Sequence, residues 1–188
     1  FNALDGSPVL VGGGSSRTVG GVTAALQVEG TAINDSSITM ISNGASGTDG
    51  LPAKLVFGRT GAASLASNTV VANGNEVGVI SFQAADGSDL ESQVASISCT
   101  IDAAAGSNDT AGRLQFFTTA DGAASATERM KIASDGDILF NTDDEEPWNN
   151  SGSGNSGIVM KENGRLAVAG DNTSPLFVNR VASDGRLV

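Results

Sequence analysis

Three short phrases near the end of the chain each join a tight-turn dipeptide to the start of an apolar strand. They are Ser134–Leu139, Glu162–Leu166 and Ser183–Leu187, and each contains Asp-Gly or Asn-Gly. Glycine in second place supplies the positive φ that a two-residue hairpin turn requires. The phrases therefore predict a chain that folds back on itself as successive β-hairpins. This pattern favours a structural protein over an enzyme built on helices.

The composition limits how much apolar surface one copy of the chain can bury. There are 25 glycines among the 188 residues, and only 4% of the residues are aromatic. Folding must offset roughly 1–2 kcal/mol of backbone entropy per residue. Small side chains offset less of it, at roughly 25 cal/mol per Å² of buried apolar surface. Packing against identical chains would supply the missing burial, so the composition predicts an obligate homo-oligomer.

Several classes of function are disfavoured by what the sequence lacks. The net charge is −11 and the basic residues form no cluster, which argues against binding to nucleic acid. No apolar run approaches 18 residues, so no membrane span is predicted. Histidine is absent, which removes Ser-His-Asp and Cys-His catalysis and any His-ligated metal site from this chain. No cofactor and no enzymatic activity are predicted.

The chain has one cysteine, so it cannot form an intrachain disulfide. Cys99 lies in an apolar alternating run and shares a face with Ala95, Ile97 and Ile101 when the period is two. No basic residue is near it in sequence to activate the thiol. We expect Cys99 to be a small buried apolar residue.

Short apolar runs bounded by glycine predict an all-β fold, either sandwich-like or an interwoven β fibre. Three runs resemble one another, because each carries a phenylalanine near its centre (Phe57, Phe82 or Phe116) before a glycine turn. Strands of five to seven residues, each followed by a glycine turn, are predicted within 53–61, 78–87 and 112–122. The other predicted strands are 22–28, 37–42, 92–101, 127–132, 158–161, 165–169 and 175–180.

Changes in composition along the chain predict four parts. Residues 1–21 are rich in glycine and serine and predict a connector or lead-in segment. Residues 22–140 form the main β domain. Residues 141–157 are acidic and then Gly/Ser-rich, which is typical of an exposed loop or hinge. Residues 158–188 form a small C-terminal β-hairpin module.

Two segments carry a family resemblance. Residues 114–136 contain LQFFTTADG, then ATERMKI and SDG, and they resemble a segment of tailed-bacteriophage tail fibre and tailspike proteins. Residues 175–188 contain PLFVNR and SDGRLV, and they resemble a strand pair that in those proteins often precedes a C-terminal chaperone or tip. With weaker similarity, the resemblance extends over residues 51–188.

The resemblance implies a homotrimeric β fibre segment of a virion tail appendage, which is extracellular and has strands of three chains wrapped around a common axis. Other tail proteins of the virion would be its partners. Apolar positions would be buried within and between the chains: Phe57, Phe82, Phe116, Met130, Ile132 and Phe177. The resemblance transfers no catalytic residue to this chain.

The acidic loop holds the candidate binding residues. Asp143, Asp144 and Glu145 offer carboxylate oxygens of the kind that Ca²⁺ prefers, but they lack the spacing of a calcium loop. A solvated loop is the favoured interpretation, and no metal site is predicted. Trp148 is the best single candidate for a contact with a host glycan or protein. The favoured alternative is that Trp148 packs under its own loop or against a neighbouring chain.

The predicted function is a structural component of a tail fibre that projects or joins a host-receptor-binding part. Three alternatives stay open. The first is a module that itself binds a glycan or protein on the host surface. The second is a polysaccharide-degrading tailspike, which would need two carboxylic acids roughly 5–9.5 Å apart in a groove. The third is a capsid decoration protein.

Overall fold

The computed structural model describes residues 8–13, 15–43, 52–149, 156–171 and 176. In these residues the regular structure consists of nine strands and one three-residue 3₁₀ turn at Ile33–Asp35, which confirms the all-β prediction. No helix within these ranges has the length and apolarity needed to cross a membrane. The strands are β1 Val9–Val11, β2 Leu26–Val28, β3 Glu76–Ala84, β4 Ser92–Ile101, β5 Gly112–Thr118, β6 Thr127–Ile132, β7 Ile138–Phe140, β8 Gly157–Met160 and β9 Leu166–Ala169.

The strands form two sheets. Strands β1 and β2 pair in parallel, with Val9 opposite Leu26. The other seven strands form one sheet in the order β3 to β9, so each strand lies beside its neighbour in sequence. All pairs from β4 to β9 are antiparallel. Antiparallel neighbours can be joined by short turns, which agrees with the predicted succession of hairpins.

The chain divides into two compact units. One contains Phe1–Gly58 and Phe82–Val94, and the other contains Arg59–Ser81 and Ala95–Val188. The first unit includes β1, β2 and the 3₁₀ turn, and the second includes β5 to β9. Strands β7 and β8, on either side of the loop that begins at residue 141, pair with each other. The four-part organisation inferred from composition stays a prediction.

The turns after β6 and β8 have three residues, not the predicted two. The N–H of Ala133 donates to the carbonyl of Asp137 at 2.9 Å, and the N–H of Gly136 donates to the carbonyl of Ala133 at 3.1 Å. Residues 161–165 repeat both bonds, at 2.8 and 2.9 Å. Only the glycine of each turn has positive φ, 97° at Gly136 and 86° at Gly164.

This pattern is a type I turn closed by a left-handed glycine. It leaves Asp135 and Asn163 outside the left-handed region, which is costly for residues other than glycine. The third turn phrase, Ser183–Leu187, lies outside the described residues.

Several strand predictions are confirmed and others are wrong. The predicted strands 92–101 and 127–132 coincide with β4 and β6. Of the predicted 22–28, only Leu26–Val28 is a strand. The predicted strands 37–42 and 53–61 are absent, because no described segment hydrogen-bonds along them as a neighbouring strand. The predicted strand 175–180 lies outside the described residues except for Leu176, as does Phe177.

The buried core of the described residues is small. Its buried hydrophobic residues are Ile101, Ala133, Leu139 and Val159. Leu139 and Val159 are fully buried and lie opposite each other on β7 and β8, with Ala167 packed against them. So few buried large side chains give this described part of a single copy little hydrophobic stabilisation.

Candidate functional site: an apolar sheet face and an acidic loop

One face of the sheet from β4 to β9 is apolar across all six strands. Residues directly opposite each other in antiparallel strands point to the same face. The register gives a first row on that face: Ile97, Phe116, Met130, Phe140, Ile158 and Val168. A second row runs beside it: Cys99, Leu114, Ile132, Ile138, Met160 and Leu166. We refer to these two rows of six residues as the apolar face.

No residue of the apolar face is fully covered by the chain itself. Leu114 is 37% exposed, Met160 is 46% exposed and Leu166 is 63% exposed. The other members are half-buried, apart from Ile158, which is exposed. The opposite side of the sheet holds the fully buried Leu139 and Val159. A contiguous apolar surface that is only partly covered is typical of an interaction site.

From Ser96 to Thr100, the hydroxyl side of strand β4 is more covered than its aliphatic side, whereas Ile101, at the end of the strand on the aliphatic side, is buried. The hydroxyl residues Ser96, Ser98 and Thr100 are buried, while Ile97 and Cys99 are only half-buried. The predicted period of two is therefore present, but the polar residues of β4 lie on the covered side. Cys99 shares a face with Ile97 as predicted, but in a single copy it is half-buried and not buried as predicted.

Other apolar positions expected to be buried are also exposed in a single copy. Phe57 is 47% exposed and Phe82 is 52% exposed. Their burial by other chains stays a prediction. Phe116, Met130 and Ile132 belong to the apolar face and are half-buried.

The acidic loop after β7 separates the predicted binding residues. The carboxylate of Asp143 is exposed and pairs with the ammonium of Lys131 at 3.2 Å. Asp144 accepts the N–H of Glu146 at 2.8 Å, a bond within its own loop. Glu145 lies near the turn after β6, with its carboxylate in a group with Asp135 and Asp137 whose oxygens lie within 4.8 Å of one another. The three predicted acids therefore do not share the contacts described for each of them.

Trp148 stands at the surface of the same loop. Its side chain is 40% exposed, and the guanidinium carbon of Arg165 lies 4.6 Å from the centre of its ring. This is the distance of a cation–π contact. The preceding Pro147 is buried. Arg165 follows the glycine of the turn after β8, and nothing in the sequence pattern pointed to its contact with Trp148.

Sequence analysis also missed a buried ion pair between Asp137 and Lys161. The Nζ of Lys161 contacts Oδ2 of Asp137, whose side chain is 0% exposed, while that of Lys161 is 16% exposed. The N–H of Glu162 donates to Oδ1 of Asp137 at 2.9 Å. Asp137 lies within the first predicted turn phrase and Lys161 directly precedes the second, which is the one signal that could have directed attention to them.

The environment of this pair favours the charged forms of both groups. Burial acts to raise the pKa of Asp137, but the hydrogen bonds from Lys161 and from the N–H of Glu162 outweigh it and lower that pKa. The hydrogen bond to Asp137 raises the pKa of Lys161 against the effect of its burial. The charges of Glu145 and Asp135 also raise it. The ammonium group of Lys161 therefore supplies the positive charge among the carboxylates of Asp135, Asp137 and Glu145.

Solved structures similar to this chain include two forms of one phage protein domain. The first is the carboxy-terminal domain of the bacteriophage T5 L-shaped tail fibre, with 17% identity and a TM-score of 0.48. The match covers 78% of this chain and 49% of that one. The second is the same domain with its intramolecular chaperone domain, with 18% identity and a TM-score of 0.48, covering 84% of this chain and 37% of that one. The chain thus spans less than half the length of either structure. A scan of protein-family models gives no match, and neither does a search of the curated proteins.

Proposed function

We propose that this chain is a structural segment of a phage tail fibre. In this proposal it assembles as a homotrimer in the virion appendage, outside the host cell, and works without catalysis. Its task is to project or join the part that binds the host receptor, next to other tail proteins. The apolar face carries the proposal, and the motifs at 114–136 support it.

The apolar face has the character of an obligate interface. Five strand spacings separate β4 from β9, which makes the face roughly 24 Å wide. Obligate interfaces resemble a domain core cut in half, and they are more hydrophobic than transient ones. The small core of a single copy also favours association. Burial of the two rows by other copies would add the apolar area that the chain lacks.

The two predicted strands that the structure lacks support the interwoven form of the trimer. Ile38 and Ile41 are 71% and 76% exposed, and Val56 is 77% exposed. A segment with strand-like apolar residues forms a strand only where a neighbour accepts and donates its backbone hydrogen bonds. We propose that the segments 37–41 and 53–57 find these neighbours on other copies.

Mass and shape in solution test the proposal. Light scattering coupled to size exclusion is expected to give three times the mass of one chain, and small-angle scattering is expected to give an elongated particle. A compact monomer that stays folded at micromolar concentration would contradict the proposal, because the apolar face would then be stable in water.

A second candidate function is host recognition by the acidic loop, through Trp148 with Asp143, Asp144 and Glu145. The observation that favours it is the partly exposed ring of Trp148, which Arg165 holds in place. Aromatic rings with one polar edge are common recognition contacts.

Binding of the labelled protein to host cells tests this candidate. Trp148→Ala is expected to weaken binding about tenfold, the effect of losing roughly 1.4 kcal/mol. The fully exposed Leu65 supplies the matched control, Leu65→Ala. Equal binding by the two variants would show that Trp148 only anchors its loop.

A further inference from the structure

Asp137 and Lys161 lie where the pairing of strands β7 and β8 extends beyond the core residues Leu139 and Val159. Leu139 lies opposite Val159, and two residues further along each strand Asp137 and Lys161 take up the same side of the sheet. Leu139 and Val159 are fully buried, and so is Asp137. The ion pair therefore stands at the end of the core, largely out of contact with water.

The groups around the pair are arranged for acyl chemistry. Nζ of Lys161 contacts Oδ2 of Asp137, while Oδ1 accepts the N–H of Glu162 at 2.9 Å. The amine is therefore next to one oxygen, and a fixed hydrogen-bond donor polarises the other. The carboxylate of Glu145 lies within 4.8 Å of that of Asp137, as a third group able to take up and return a proton.

We propose that Lys161 and Asp137 become joined by a covalent amide bond after the chain folds. One proton first moves from Nζ to Oδ2, which turns the ion pair into a neutral amine and a neutral acid without changing the net charge. The lone pair of Nζ then attacks Cγ of Asp137, and negative charge develops on Oδ1, where the N–H of Glu162 stabilises it. No oxidant, reductant or activated group is needed.

The second half of the step removes water. Glu145 takes a proton from the attacking nitrogen and returns it to Oδ2, and the Cγ–Oδ2 bond breaks. The products are one amide and one water molecule, so atoms and charge balance. The ion pair is the stable starting form, as the pKa directions of both groups show, and the neutral pair is its minor tautomer. The reverse reaction, hydrolysis of the amide, is hindered because the released water leaves a buried site.

The bond would supply the chain with a covalent cross-link that stabilises its fold. With one cysteine, no intrachain disulfide can form, and the core is small. An amide between Asp137 and Lys161 closes the loop that carries Trp148 and ties the turn after β6 to the turn after β8. Chains with small cores commonly depend on such cross-links. The inference stands independently of the proposed tail-fibre role.

Intact mass of the purified, denatured chain tests the bond. The expected mass is lower than that of the sequence by one water, about 18 Da, and proteolysis should yield one branched peptide containing both residues. An unshifted mass after prolonged incubation of the folded protein would overturn the proposal.

Three variants assign the roles. Lys161→Arg keeps the positive charge and is expected to show no mass loss. Asp137→Asn is expected to lose ammonia instead of water, about 17 Da, because the same carbon is then attacked in an amide. Glu145→Gln is expected to slow the reaction at least tenfold relative to the matched control Glu91→Gln, which changes an exposed glutamate that takes no part in the proposed step. Equal rates for these two glutamate variants would overturn the role of Glu145.

Discussion

Replacing Met130 with glutamate is expected to separate the assembly into single chains. Met130 lies near the middle of the first row of the apolar face, between Phe116 and Phe140. In a closed interface each copy would bury one carboxylate without a partner, and an uncompensated buried charge costs several kcal/mol. The measurement is mass by light scattering at a fixed micromolar concentration. The expected result is the mass of one chain, or loss of folded protein.

Ala124→Glu is the matched control for that experiment. It adds the same charge at an exposed position in the turn between β5 and β6. We expect it to keep the mass of the unaltered protein. If Met130→Glu also kept that mass, the apolar face would not be the surface through which copies of the chain associate, and the principal support for the proposed function would be lost.

Replacing Leu139 with alanine is expected to lower the free energy of unfolding by about 2–5 kcal/mol, the usual cost of removing a buried leucine side chain. Leu139 is fully buried against Val159, in a core with few other large members, so little material is available to fill the cavity. Denaturant unfolding followed by circular dichroism measures the change. Protein concentration must be equal in all samples, because association contributes to apparent stability.

Leu65→Ala provides the comparison, since Leu65 is 100% exposed in a single copy. Its expected effect is within about 0.5 kcal/mol, as for surface substitutions in general. A Leu139→Ala variant as stable as Leu65→Ala would mean that the side of the sheet holding Leu139 is not its principal core. A large effect of Leu65→Ala would show instead that other copies cover this residue.

Local properties of the chain were predictable. The all-β class follows from short apolar runs and glycine turns. The bounds of β4 follow from an alternation flanked by Glu91 and Asp102, and those of β6 from an alternation that stops shortly before the Ser-Asp-Gly turn. The place of the two hairpin turns after β6 and β8 was also correct, because turn residues act over a few positions. The predicted length of these turns was wrong, because Asp-Gly and Asn-Gly suit both a two-residue turn and a type I turn ending in glycine.

The candidate site was only partly predictable. Trp148, Asp143, Asp144 and Glu145 lie on one loop as the sequence indicates, but the groups near Trp148, Asp143 and Glu145 come from distant positions. Arg165 reaches Trp148 from another turn, and Lys131 reaches Asp143 from another strand. No pattern within the loop contains this information.

Composition, period and turn chemistry by themselves determined a β-rich chain of hairpins with too little bulky apolar material for a large core of its own. Tertiary structure decided which side of each strand is covered, because alternation defines two faces and does not say which one meets the core. It placed Ser96 inside and Ile97 half outside, and it aligned the two apolar rows across six strands. It also brought Asp137 to Lys161, 24 residues away, because register depends on how neighbouring strands pair and not on any one segment.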